Sequence, residues 1–295
     1  MTGIICIDKP EGITSFGVCA KLRGIMGQKK CGHTGTLDPM ATGVLPVMLG
    51  GATKFLDYLP DSDKGYTARF ILGKTTDTLD ITGKVTGEFP VNCTQDDVEK
   101  ALVNFRGRIM QTPPMYSAVS VDGKRLYELA RSGVEVERKA REVEIKKLEL
   151  VSCENGEYEI DVLCSKGTYI RSLIDDLGKA IGCGAVMTSL RRTLACGFTL
   201  NDAVSLDELQ RRKDCGENFD DLIVSVEKAF ESFDSVTVSD AQSVRFKNGG
   251  ALDLTRLKQK LSINTLYRVY SKSGEFLGLG ECTQTELKVK RLYIK

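Results

Sequence analysis

Gly32-His33-Thr34-Gly35-Thr36-Leu37-Asp38-Pro39, continuing through Ala41-Thr42-Gly43-Val44-Leu45-Pro46-Val47, decides how this chain is read. The stretch holds the chain's one histidine and, five residues on, a carboxylate in a segment punctuated by Gly and Pro. Such punctuation sets a turn of defined geometry, not the interior of a helix or strand. The apolar run at 44–49 that follows predicts a buried strand. Asp38 is therefore presented by a firm loop at a strand edge, a common way of holding a nucleophile or general base on a scaffold. An isolated Asp-Pro reads more readily as an Asx-turn, its carboxylate bonded to its own backbone. The length of this motif favours the chemical reading.

Outward from the loop, residues 4–7 predict a strand, and Thr14 or Ser15 caps a helix that carries Phe16, Val18, Leu22 and Ile25 on one buried face. A helix over 53–59 and a strand over 66–72 follow. Thr94 with Asp97 three residues on resembles a capping box, opening a helix that runs to 105. Residues 111–119, with two prolines, read as a loop, and 124–132 as a short helix stopped by Gly133. Strands at 142–151 and 157–163 flank Asn155-Gly156, a hairpin signal. Thr168 opens a helix that ends near Gly182. Strands, hairpins and scattered helices in this order predict an α+β fold with a mixed, mostly antiparallel sheet. The acidic segment 205–231 reads as a connector. Beyond it, short strands at 235–238, 267–270, 276–281 and 288–292 form a compact β-rich module near the lower size limit for a domain.

The composition, 41% hydrophobic and 27% charged over 295 residues, is that of an ordinary globular protein. The first strand is ended at once by Asp8-Lys9-Pro10, so no secretory leader is expected. No apolar run approaches the roughly 20 residues that cross a bilayer. A soluble, cytoplasmic protein without membrane contact is expected. The ten cysteines contain no Cys-x-x-Cys pair, and zinc ligands come from close Cys/His pairs. Reduced, structural thiols and no metal are expected. A net charge of +1 carries no bulk signature of a nucleic-acid binder. Yet basic residues cluster at Lys29-Lys30, Arg106 and Arg108, Lys124-Arg125, Arg138-Lys139-Arg141, Arg191-Arg192, and at Lys288, Lys290, Arg291 and Lys295, while many acidic ones collect between Asp207 and Glu231. Such segregation permits a phosphate-binding track.

Four segments belong together: Asp8-Lys9-Pro10, the Asp38 loop, Lys64-Gly65-Tyr66 leading to Leu72-Gly73, and Gly167-Thr168-Tyr169-Ile170-Arg171-Ser172-Leu173. In these residues the chain resembles the TruB-type tRNA pseudouridine synthases. The likeness continues through Asp77-Thr78-Leu79-Asp80, Phe105-Arg106-Gly107, Pro113-Pro114-Met115-Tyr116-Ser117-Ala118, Leu126-Tyr127-Glu128, Asp175-Asp176-Leu177-Gly178 and Leu190-Arg191-Arg192. The family-typical blocks thin out beyond about Ser205.

The resemblance implies a pseudouridine-synthase catalytic domain over 1–234, with a thumb-like RNA-binding segment at about 106–141, and a small PUA-like β-barrel over 235–295. It implies isomerisation of uridine 55 in the T-loop of tRNA, with base flipping and no cofactor, by a monomer that needs no protein partner. By similarity, Asp38 is the nucleophile, a role carboxylates fill at glycosidic carbons. Arg171 is its ion-pair partner, keeping it charged and aimed. Tyr66 stacks on the target base near the proton leaving C5. The base must leave its stack to be reached; His33 resembles the residue that fills the vacancy, and Tyr169 and Leu190 those that wall the uracil. Lys9-Pro10 resembles a family motif read as support more than chemistry. Lys9 is also counted, with Arg106, Arg108, Lys124, Arg125 and Arg141, among the residues expected to meet RNA phosphates. Two other readings stay open: an RNA-folding factor acting on tRNA, and a synthase acting on ribosomal RNA.

Overall fold

The computed structural model describes residues 1–60, 63–121 and 123–294; Lys295, of the C-terminal basic cluster, lies outside them. In chain order the strands of the first part are β1 (Gly3–Lys9), β2 (Cys31–His33), β3 (Thr42–Leu49), β4 (Lys64–Leu72), β5 (Lys74–Thr76), β6 (Val85–Glu88), β7 (Gly107–Gln111), β8 (Ser120–Val121), β9 (Lys124–Arg125), β10 (Arg141–Glu154), β11 (Glu157–Cys164), β12 (Ala185–Ala195), β13 (Phe198–Thr199) and β14 (Val204–Ser205). The helices among them are α1 (Ser15–Met26), α2 (Gln95–Val103), α3 (Leu126–Arg131), α4 (Ile170–Ile181), α5 (Leu206–Asp214) and α6 (Val226–Ala229).

One large sheet carries the order β14-β1-β3-β12-β4-β11-β10-β7, with β2 added on β3 and β13 on β12. Only β1–β14 and β3–β12 pair in parallel; its other pairings are antiparallel, so the sheet is mixed and mostly antiparallel. The apolar runs explain its middle. In β1, Ile5 and Ile7 join one core with α1, α2 and α4, while Ile4 and Cys6 join a second core on the opposite face. In β3, Leu45, Val47 and Leu49 face the first core, and Val44 and Met48 the second. Strands covered on both faces need unbroken hydrophobicity, which the 44–49 run supplies. Each such Ile or Leu contributes roughly 1.5–3 kcal/mol by leaving water.

The second face is closed by the C-terminal strands β15 (Ser235–Thr237), β16 (Leu252–Asp253), β17 (Leu266–Tyr270), β18 (Phe276–Cys282) and β19 (Glu286–Leu292), a five-stranded sheet in the order β15-β17-β18-β19-β16. Phe276 and Leu279 of β18 enter the second core, and rings chain across the junction from Phe230 to Phe55 to Tyr293 to Phe276 at centroid distances of 5.9, 6.3 and 5.4 Å.

Local signals in the sequence are realised closely. Thr94 and Asp97 form a reciprocal capping box on α2. Asn155 and Gly156 both take positive φ (53° and 80°) between β10 and β11, as a type I′ turn requires. Three expectations need correction. Phe16 is not on the buried face of α1: it is 67% exposed and lies against Arg23, while Ser15, Cys19 and Met26 share the interior with Val18 and Leu22. Residues 50–58 form a 3₁₀ helix instead of an α-helix from 53. The 205–231 segment is no mere connector, because β14 extends the main sheet and Leu206, Leu209, Val226 and Phe230 are core. One helix of the C-terminal part, α7 (Asp240–Lys247), had no legible signal in the periodicity.

Candidate active site

The Asp38 loop spans the gap between β2 and β3, which pair antiparallel with His33 opposite Val47. Its carbonyls are met by buried side chains. Lys9 is wholly buried at the end of β1, and its Nζ donates to Pro10 O (2.9 Å), Pro39 O (3.1 Å) and Ala41 O. Ser15, at the start of α1, accepts from Leu37 N (2.8 Å) and donates to Leu37 O (3.1 Å). Arg192, also wholly buried, donates from Nε to Val44 O (2.7 Å), from Nη1 to Thr36 O (3.4 Å) and from Nη2 to Gly35 O (3.2 Å). Gly43 lets β3 come this close, at φ 97° and with the place of a Cβ only 2.2 Å from Arg192 O. The loop is thus fixed by groups that owe nothing to the Asp38 side chain.

Lys9 therefore corrects one expectation. It cannot meet an RNA phosphate, because its ammonium is enclosed and already saturated by three carbonyls. Lys9→Met should leave those acceptors without a donor and cost roughly 3 kcal/mol of stability, since each buried unpaired group costs about 1–3 kcal/mol. Chemical denaturation checks this; a variant as stable as the parent would contradict the bracing role.

Asp38 Oδ2 lies 2.9 Å from Arg171 Nη2, at the start of α4. Arg171 is 4% exposed, and its fork is filled: Nη1 donates to Thr78 O (2.8 Å), Nη2 donates to Tyr116 O (2.7 Å), and Asp80 Oδ2 stands 3.8 Å from Nη1. Asp80 is itself held through Oδ1, which accepts from Thr78 Oγ1 (2.9 Å) and Thr82 N (3.0 Å). Between Thr78 and Asp80, Leu79 is forced into the left-handed region (φ 64°), a strained conformation for a leucine and of the kind that clusters at functional sites. Asp80 is the residue whose role the sequence reading missed. Its motif was visible, but its partner is ninety-one positions away in the chain.

Tyr66 and Leu190 come from β4 and β12, where Tyr66 pairs with Arg192 and Ala68 with Leu190, so all four share one face of the sheet. With Asp38, Arg171 and Tyr169 they line a cavity of about 220 Å³. Tyr169, the N-cap of α4, is pinned by Gln111, whose Oε1 accepts from Tyr169 N (2.7 Å) and whose Nε2 donates to Tyr169 O (3.0 Å). Arg141 lies 5.2 Å over the Tyr169 ring and donates to Gly167 O (2.6 Å). Its guanidinium is thus held against the 167–169 turn behind the cavity lining. Ser117 and Ala118 also line the cavity, which ties the 112–121 segment to the site.

Of the remaining predicted residues, Arg125 donates to the carbonyl of the cavity-lining Ala118, and the others lie apart. His33 is half-buried on β2, outside the cavity's lining, with a buried Nδ1 that has no partner. Burial and the Arg192 guanidinium push its pKa down, so it is a neutral ring at pH 7. Arg106, Arg108, Lys124 and Arg125 are all exposed. Arg106 donates to Leu148 O (3.0 Å) and Arg108 stands 3.7 Å from Glu142, neither of them at the cavity.

Partial burial raises the Asp38 pKa from its ordinary value; Arg171 opposes this and Asp80 adds to it. Where the ionised carboxylate is the working form, kcat/KM must rise with pH through that raised value. The acid limb of the profile should therefore fall above the unperturbed value of about 3.9; a limb at or below it would contradict the burial seen here. Burial also pushes Tyr66 up to about 12, against the pull of Arg192, so Tyr66 meets its ligand as a phenol. A charged pair at the floor, an aromatic wall and an apolar wall suit a planar polar ring attached to an electrophilic carbon.

Comparison with known proteins agrees along the whole chain. A family model described as TruB family pseudouridylate synthase, N-terminal domain, matches residues 23–170. Models for a tRNA pseudouridylate synthase B C-terminal domain and a pseudouridine synthase II TruB C-terminal region match 171–231 and 235–293. A protein of Clostridium kluyveri named tRNA pseudouridine synthase B is 41% identical over all of both chains. One of the same name from Chromobacterium violaceum is 45% identical over 95% of this chain and 90% of its own. Among solved structures, a chain of a Cbf5-Nop10-Gar1 complex superposes with a TM-score of 0.76 at 27% identity, over 99% of this chain and 85% of that one.

Proposed function

Because the chain belongs to the TruB family of pseudouridylate synthases, and so forms pseudouridine in tRNA, we propose that the cavity at Asp38 is where one uridine, position 55 of the T-loop, is received and isomerised. The observation that carries this is the Asp38–Arg171 pair at the floor of a cavity walled by Tyr66 and Leu190. The base leaves its stack and enters between these walls, at a cost of a few kcal/mol. Asp38, held ionised by Arg171, opens the path at the ribosyl–uracil unit. The C1′–N1 bond breaks, the uracil turns, C5 joins C1′, the proton leaves C5, and N1 gains one. Atoms and electrons balance within the substrate, so the rearrangement calls for no redox partner. Tyr66 carries the base on its ring. His33, neutral and beside the loop, fills the place the base has left.

We take residues 1–234 as the catalytic unit, with 106–141 closing over the RNA through Arg106, Arg108, Lys124 and Arg125, and 235–295 as an RNA-binding module. No helix among the described residues is long and apolar enough to cross a membrane. We place the enzyme in the cytoplasm with its tRNA, acting as a monomer without a protein partner; light scattering at the mass of one 32.4 kDa chain is the expected result. The main test is tritium release from a T-arm hairpin carrying [5-³H]uridine at the target position. Release of one tritium per hairpin is expected. No release from the hairpin or from whole tRNA would overturn the assignment of this substrate.

A further inference from the structure

Lys64 opens β4, two residues before Tyr66 and on the same face of the strand, and it lines the cavity beside Thr36 and Asp38. Its ammonium stands over the catalytic loop: a methyl built on Gly35 would lie 3.4 Å from Lys64 Nζ and 3.8 Å from Arg192 Nη1. The two cations thus meet at one point of the loop. Arg192 is occupied by the carbonyls of Gly35, Thr36 and Val44. Lys64 Nζ has no hydrogen-bond or ion-pair partner among the described residues. The acid next to it in sequence, Asp63, is turned to Lys146 at 2.9 Å. Lys64 is half-buried, and both its burial and the Arg192 charge press its pKa down.

A partly desolvated ammonium beside a second cation, with no paired counter-charge among the described residues, costs folding energy that packing does not return. An unpaired charge in a cleft marks a position whose partner comes with the ligand. In RNA the anionic groups are the phosphates, and a nucleotide extruded into this cavity brings one on each side of its ribose. We propose that Lys64 is a substrate-binding residue whose ammonium takes one of the two phosphodiesters flanking the reacting uridine, clamping that nucleotide against Asp38. This rests on the reading that the cavity receives a flipped uridine.

The test is equilibrium binding of the T-arm hairpin in an Asp38→Asn background, which keeps the RNA unconverted, with and without Lys64→Met. The Lys64→Met change should raise Kd roughly tenfold. It should also lower the slope of log K against log salt by about 0.7–0.9, the share of one phosphate contact. A hairpin with a neutral methylphosphonate 5′ or 3′ to the target uridine should lose affinity for the Lys64 protein and, at one of those two positions, lose none for Lys64→Met. Lys64→Met should melt no lower than its parent, since it removes an unpaired charge; a strand-propping lysine would lower the melting temperature. Lys64→Arg, which keeps the charge, should keep the salt slope, and it serves as the comparison if the Met variant is poorly folded. Unchanged affinity, an unchanged slope, or equal methylphosphonate costs in both proteins would overturn the proposal. Turnover of the unmodified hairpin by the wild-type enzyme reports on the function separately, so failure there leaves the binding cycle readable.

Discussion

Asp38→Asn should lose turnover by about 10⁴-fold or more, the scale on which removing a covalent nucleophile acts, while the protein stays folded and still binds RNA. The separation follows from how the loop is built. Lys9, Ser15 and Arg192 hold the carbonyls of residues 35–44 from below, and none of them touches the Asp38 carboxylate. An amide of the same shape leaves that bracing intact. Arg171 loses its contact at 2.9 Å but keeps Thr78 O, Tyr116 O and the nearby Asp80. Stability should move the other way from activity. Because the folded state raises the Asp38 pKa, the ionised carboxylate is disfavoured by folding, and the destabilisation grows as pH rises through the raised value. At neutral pH the neutral amide escapes it, so the variant should melt at or above the wild-type temperature. Nor should binding weaken, since a negative charge has left a site for a polyanion. Single-turnover tritium release and a thermal melt on the same preparations decide the matter. A variant within tenfold of wild type would remove Asp38 from the chemistry.

What the sequence made legible was local. The Asn155-Gly156 turn, the Thr94–Asp97 box and the 44–49 strand each depend on residues within a few positions, so their physics is written in a short window. Asp38 was legible for the same reason, as a carboxylate in a punctuated loop before a buried strand. What stayed hidden was whatever depends on distant partners. Lys9 was read as support and also counted toward the RNA phosphates; only the fold, which brings its ammonium onto the carbonyls of Pro39 and Ala41, separates the two. Arg192 reads as half of a basic pair, yet its guanidinium serves carbonyls roughly 150 positions earlier. Gln111 looked like the start of a loop and proves to be the clamp on Tyr169, fifty-eight residues on. Phe16 misled for a different reason: two residues before Val18, it stands on the opposite side of the helix from Val18 and Leu22, so the 3.6-residue period itself leaves it off the apolar stripe, while Ser15 beside it is buried. Part of what stayed hidden lies at the Asp38 loop and its braces, where Lys9 and Arg192 are buried against the usual preference for charged side chains.

Arg171→Met tests the other half of the pair, and it should cost both stability and rate. The guanidinium is nearly inaccessible and joins four groups from three segments: Asp38, Thr78, Asp80 and Tyr116. Removing it leaves two carboxylates facing each other with no cation between them and two carbonyls without a donor. Breaking a buried pair from one side costs roughly 3–5 kcal/mol, and a similar loss at the transition state is about 10³-fold in kcat. The pH profile separates electrostatics from positioning. With Arg171 gone, burial and the Asp80 charge act on Asp38 unopposed, so the acid limb of kcat/KM should move to higher pH. Arg171→Lys restores a charge without the planar fork. Its acid limb should return toward wild type while kcat remains at least about tenfold down, because one ammonium cannot hold Thr78 O, Tyr116 O and Asp38 together. If instead the Met variant kept the wild-type acid limb, Arg171 would be a brace for the Tyr116–Ala118 wall, and the ionisation of Asp38 would have to be set by Lys9, the other cation that lowers its pKa.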